Sequence, residues 1–117
     1  MTKEDIDPME KRNQPRIPMH SPAKMTKLGV GEHYYGFVED LSLSGIRIVS
    51  PDYIANNPQM SCGFFLENHS KKINPVVSLV YTQKCVESVY AYGFKFVYMS
   101  DDDKKIVQQY IAHFNAP

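Results

Sequence analysis

The sequence predicts an all-β fold with one terminal helix: a six-stranded antiparallel barrel, closed or nearly so, followed by a C-terminal α-helix. Three observations predict it. From about residue 23 onward, Tyr, Phe, Val and Ile are spaced by polar residues at the period of a strand. Turn-forming clusters interrupt that pattern at Gly29-Val30-Gly31, at Ser50-Pro51-Asp52 with Asn56-Asn57-Pro58, and at Glu67 to Lys72. Only the last stretch changes to helical spacing, and 117 residues hold one ordinary core.

Residues 1–18 are expected to form a flexible arm, and residues 19–117 the barrel and its helix. The first ten residues carry Glu4, Asp5, Asp7 and Glu10 against Lys3 alone. From 11 to 31 the sign inverts: Lys11, Arg12, Arg16, Lys24 and Lys27 appear without an acid, while Pro15, Pro18 and Pro22 forbid a regular helix. Strands are expected near Ala23 to Leu28, Tyr34 to Leu41, Gly45 to Val49, Gln59 to Leu66, Ile73 to Glu87 and Tyr90 to Met99. Closing these into a barrel leaves no edge on which another chain could pair.

The helix is expected over about 100–114. Ser100 supplies an N-cap, and Asp101, Asp102 and Asp103 suit the unsatisfied N–H groups and positive end of the first turn. Ile106, Val107, Tyr110, Ile111 and Phe114 then recur at helical spacing, a stripe that fits packing on the barrel or a partner surface.

Composition excludes several classes. Hydrophobic residues make up 43% and charged residues 22%, ordinary for a folded globular chain. Lys plus Arg equals Asp plus Glu at 13 each, and the pI is near 6.9, which argues against a duplex-DNA or anionic-membrane binder. No apolar run approaches the roughly 18 residues of a membrane span. The N-terminus lacks the apolar core of a secretory signal, so a cytoplasmic location is expected, with Cys62 and Cys85 as reduced thiols.

Catalytic signatures are missing as well. Ser42 and Ser44 lie in no GxSxG elbow, and His20, His33, His69 and His113 have no zinc-ligand spacing. The Asp101 to Asp103 run lacks a calcium-loop pattern, and neither GxGxxG nor a Walker A motif occurs. An enzyme is therefore not expected, nor a cofactor or metal.

Two short motifs remain. Arg12-Asn13-Gln14-Pro15-Arg16 is an RxxxR on the arm, and Asp40-Leu41-Ser42-Leu43-Ser44-Gly45 is a DxSxxG at the turn between the expected second and third strands. With Gly36-Phe37-Val38-Glu39-Asp40-Leu41-Ser42 before the turn and Tyr92-Gly93-Phe94-Lys95-Phe96 in the last strand, they resemble, in order, the PilZ domain family. Its members typically bind the bacterial second messenger cyclic di-GMP. The resemblance covers about residues 11 to 114. It implies a six-stranded PilZ-type barrel with a C-terminal helix, and a ligand site where the N-terminal arm folds across the barrel surface. The ligand residues implied are Arg12, Arg16, Asp40, Ser42 and Gly45, with Lys11, Tyr81 and Arg47 as secondary candidates.

The chemistry of these side chains agrees. A guanidinium can grip phosphate oxygens bidentately, take guanine O6 and N7, or stack on a purine. Asp40 can accept from the guanine N1–H and N2 amino group, and Ser42 can donate or accept beside it. Period-two alternation would set Asp40 and Ser42 on one face, and Gly45 would allow a positive φ or close approach of a ligand. Each residue also has a plainer reading. The arginines fit a solvated charge cluster, Asp40 and Ser42 fit hairpin hydrogen bonding, Tyr81 fits a half-exposed core edge, and Arg47 fits a surface charge.

The resemblance implies a cytoplasmic receptor that passes the second-messenger level to a protein partner in motility, pilus or biofilm control. A PilZ-like interaction adaptor that does not use the nucleotide is the alternative. Single-stranded nucleic-acid binding is disfavoured by the neutral charge balance, so no DNA or RNA partner is expected. Two intercalated ligand molecules per site are expected, since Lys11 adds a third cation against four clustered phosphate charges.

Overall fold

A computed structural model describes residues 16–55 and 59–114. Lys11, Arg12 and the rest of the arm before Arg16 lie outside the described residues. Among the described residues seven strands and one helix follow in order: β1 (Ile17–Lys27), β2 (His33–Leu41), β3 (Gly45–Ser50), β4 (Gln59–Phe65), β5 (Lys72–Ile73), β6 (Val76–Lys84), β7 (Tyr90–Tyr98) and α1 (Asp101–Phe114). Antiparallel pairing runs β1-β2-β3-β7-β6-β4, and β4 pairs back onto β1, which closes a six-stranded barrel. The two-residue β5 adds to β4 at Phe64 and Phe65.

The expected fold class is thus the observed one, with two boundaries moved by proline. β1 begins at Ile17, six residues before the expected Ala23 and inside the stretch assigned to the arm. Its burial alternates strictly: Ile17, Met19, Ser21, Ala23 and Met25 point inward, and Pro18, His20, Pro22 and Lys24 outward. The prolines are tolerated because β4 joins β1 only from Ala23 onward, so Pro18 and Pro22 occupy the part of the strand paired on one side. The expected Ile73 to Glu87 strand is two elements, divided at Asn74-Pro75. Pro75 has no N–H for a ladder, yet its carbonyl accepts the Cys62 N–H at 3.0 Å, so β4 stays connected across the break.

The barrel interior is apolar and fully closed from water at Met25, Val38, Ile48, Met60, Cys62, Ile73, Val77 and Tyr92. Burial pushes the Cys62 thiol up to about 12, so it remains a neutral packing group. The Tyr92 hydroxyl donates to the Asp52 carbonyl at 2.7 Å and accepts the Ile54 N–H at 2.8 Å, which fixes the loop after β3.

Helix α1 starts as its sequence requires: the Ser100 hydroxyl accepts the Asp103 N–H at 3.1 Å. Val107 and Ile111 enter the core, with Ile106 and Tyr110 packed at its border, while Phe114 at the end of the expected stripe is half-exposed. Asp103 does more than cap. It is buried, accepts Lys71 Nζ at 2.6 Å and the Asn74 N–H at 3.1 Å, and so ties the helix to the β5–β6 connection. Asp103→Ala should cost about 2 kcal/mol, because a buried N–H and an ammonium lose their acceptor together. Chemical denaturation checks this, and a change below about 0.5 kcal/mol would show the tie to be dispensable.

Candidate functional site

The site is built where β1 begins and β2 ends. A β-bulge is its first cause: Val38 pairs with Ile48 and Asp40 with Arg47, so Glu39 is an extra residue on β2. Val38 and Leu41 are fully buried on either side of it, and both intervening carboxylates therefore reach the outer surface of the barrel. Each has its own arginine. Arg16, directly before β1, donates from Nε to Asp40 Oδ1 at 2.7 Å, with Nη2 2.5 Å from the same oxygen. Arg47 on β3 donates from Nε to Glu39 Oε1 at 2.5 Å.

Strand register extends this cluster around the barrel. Pro18, Asp40, Arg47, Gly93 and Tyr81 are successive pairing partners on β1, β2, β3, β7 and β6. Gly93 is the gap in the row. A Cβ there would lie 2.1 to 2.6 Å from ring atoms of Tyr81, so the phenol ring lies directly on the glycine. The ring reaches past it to Arg47, whose Nη1 donates to the Tyr81 hydroxyl at 2.7 Å, with the guanidinium 5.9 Å from the ring centroid. Burial lowers the Arg47 pKa, but its bonds to Glu39 and Tyr81 outweigh that and raise it, so the side chain is a permanent cation. Beside this row, His20 and Phe37 stack in parallel on the outside of β1 and β2, 4.6 Å apart.

The turn after Asp40 is an internal construction. Ser42 is fully buried; its N–H donates to the Gly45 carbonyl at 2.9 Å, and its hydroxyl accepts the N–H groups of Ser44 and Gly45 at 3.3 and 3.2 Å. The Ser44 carbonyl accepts the Phe96 N–H at 2.9 Å, so β7 holds the turn from the side. The expected common face for Asp40 and Ser42 does not occur, because β2 ends at Leu41 and Ser42 turns inward with the loop that follows. Gly45 does not take the positive φ found at Gly29 and Gly31. Its missing Cβ instead makes room for β7, since a Cβ would lie 2.3 Å from the Phe94 carbonyl oxygen.

Of the residues singled out in sequence, Arg16 and Asp40 are brought together, as are Arg47 and Tyr81, and the register joins the two pairs. Ser42 and Gly45 form the adjoining turn, while Arg12 and Lys11 lie outside the described residues. Sequence reasoning missed Glu39. The consecutive acids Glu39-Asp40 in a strand were the available signal, since strict alternation would have sent one of them into the core. The surface is open rather than enclosed. A groove of about 930 Å³ lies on the far side of the turn, between β7 and α1; Leu43 and Ser44 line it, but none of the paired arginines does. Among the described residues no His, Cys, Asp and Glu side chains gather into a metal-holding group, and no helix is long and apolar enough to cross a membrane.

Comparison with known proteins agrees with this architecture. No curated protein sequence matches the chain. Among solved structures, the Bacillus subtilis inhibitor of motility MotI/DgrA superposes with a TM-score of 0.73 at 14% identity, covering 88% of this chain and 50% of that one. Escherichia coli YcgR in complex with c-di-GMP gives 0.72 at 16% identity, covering 89% of this chain and 46% of that one. The isolated PilZ domain of YcgR with c-di-GMP gives 0.67 at 16% identity, covering 88% and 90%. The chain spans about half the length of the first two proteins, and at these identities the likeness is one of fold. The family model described as the PilZ domain matches residues 10–113, which takes in both short motifs, the whole barrel and nearly all of the helix, and the chain belongs to the PilZ domain family.

Proposed function

We propose that this chain is a receptor for cyclic di-GMP, without catalytic activity of its own, that passes the ligand level to a protein partner in motility, pilus or biofilm control. The observation that carries the reading is the row on the outer barrel face: Arg16 against Asp40 and Arg47 against Tyr81, in a member of this family whose RxxxR and DxSxxG are both complete. The ligand offers two phosphates and two guanines. Arg12 and Arg16 take phosphate oxygens or stack on a base, Asp40 accepts from a guanine N1–H and N2 amino group, and Tyr81 with Arg47 offers a flat cationic surface for a purine. Ser42 and Gly45 act through the turn that holds Asp40 in place. Lys11 supports the intercalated ligand pair by adding a third cation.

The reading extends to the setting. The neutral charge balance supports a protein rather than a nucleic acid as effector, and the reduced, buried Cys62 fits the cytoplasm. Drawing Arg12 and Arg16 onto phosphate changes what residues 1–18 present, and a partner reads that change.

Titration calorimetry with cyclic di-GMP and cyclic di-AMP tests the reading, with Asp40→Ala alongside. The native chain should prefer cyclic di-GMP at least tenfold, since adenine has no N1–H or N2 amino group to satisfy the carboxylate. Asp40→Ala should lose both affinity and most of that preference. A ratio of two ligands per chain is expected. No heat and no thermal shift at saturating cyclic di-GMP would replace the receptor by a nucleotide-independent adaptor, and equal binding of the two ligands would remove the role of Asp40.

A further inference from the structure

The two acids at the bulge differ in what they do for the surface around them. Asp40 has a register partner on each side, Pro18 and Arg47, and its side chain is only 23% exposed. Glu39 is the extra residue on β2 opposite β3, and its side chain is 48% exposed, so it can swing into water without burying a lone charge. Arg47 is the fixed member of that ion pair. It sits in mid-sheet between Asp40 and Gly93, is 24% exposed, and is held on its other side by the Tyr81 hydroxyl.

We propose that Glu39 is a built-in competitor of the ligand for Arg47, so that a carboxylate of the chain itself sets the affinity of the site. This rests on the receptor reading above. The Glu39 carboxylate oxygen lies on Arg47 Nε, where a phosphate oxygen or the O6/N7 edge of a guanine would be received. The same donor cannot serve both at full strength. An incoming anion must turn Glu39 out and then remains beside its negative charge, so the carboxylate opposes binding twice. Around Arg47 nothing else needs to move: Tyr81 stays on Gly93, and the guanidinium stays against its hydroxyl. The bulge is what makes this possible, because regular pairing at that position would turn one of the two acids inward. The chain thus has one acid for recognition and its neighbour for restraint.

Calorimetric titration of cyclic di-GMP into the native chain, Glu39→Gln, Arg47→Gln and the double variant tests the proposal, at about 50 mM and 300 mM salt. Glu39→Gln should bind threefold to tenfold more tightly than the native chain, with a smaller gain at high salt as the charge is screened. In the Arg47→Gln background the same change should shift affinity less than twofold. Glu39→Ser, which removes the charge without an amide that could replace it, should repeat the gain. Unchanged or weaker binding in both residue-39 variants overturns the proposal while leaving the receptor reading in place, as does an undiminished gain without Arg47. Absence of binding by the native chain and every variant alike overturns the receptor reading, and this role with it.

Discussion

Arg16→Ala should weaken cyclic di-GMP binding by roughly tenfold to a hundredfold, the range set by the ~1.5 to 3 kcal/mol of a charge-assisted hydrogen bond. Arg12→Ala should do the same. Arg16 stands directly before β1 with its side chain 26% exposed, so it would reach the proposed ligand surface from a backbone fixed by the burial of Ile17 beside it. Its removal has a compensating side. Asp40 loses a cation that would compete with guanine for its oxygen, and this would recover part of the loss, but the phosphates would forfeit a bidentate partner. The free protein should keep its stability to within about 1 kcal/mol, because a half-buried ion pair at the barrel surface contributes little and no core volume is removed. Arg16→Lys separates the contributions: it restores charge without the planar fork, and should recover less than half of the loss in binding free energy. Calorimetry gives the affinities and thermal melts of the free variants give the stabilities. Unchanged affinity, or a free protein that no longer folds, would show that the site lies elsewhere.

Much of this architecture was legible in the sequence, and the failures have physical causes. Six strands, their order of occurrence and the closing helix follow from alternation, turn chemistry and the Ser100 cap. The start of β1 does not, because Pro18 and Pro22 signal a chain that leaves the sheet unless one knows that β4 is absent from that side. That absence is a property of the closed barrel, not of the local sequence. Arg16 and Asp40 were legible as chemistry, but their direct pairing was not, since it joins residues 24 apart through the β1–β2 register. Ser42 shows the limit most clearly. Period two predicts that it shares a face with Asp40, but β2 ends at Leu41 and the turn that follows folds Ser42 inward onto Ser44 and Gly45.

Gly45→Ala should destabilise the free protein by about 3 kcal/mol, and lower its melting temperature by on the order of 10 to 20 °C. The expectation follows from what the added carbon meets. At 2.3 Å lies the Phe94 carbonyl oxygen, part of the β7 backbone that pairs with β3 through Ile46 and Phe94, and a backbone atom in a closed barrel has no alternative position. Moving β3 away would also disturb the turn that depends on it, where Ser42 bonds Gly45 and Ser44 bonds Phe96, and would loosen the buried Ile46 beside them. Gly93→Ala is the internal control. Its carbon meets an even closer neighbour at 2.1 Å, but that neighbour is the ring of Tyr81, which is 41% exposed and can swing outward. That variant should fold nearly as well as the native chain while losing the Tyr81 bond to Arg47. Two glycines on one sheet thus carry opposite consequences, decided by whether the obstacle is a strand or a side chain. If Gly45→Ala instead melts at the native temperature and loses only ligand binding, then the glycine serves ligand approach, and the close contact with Phe94 is not what requires it.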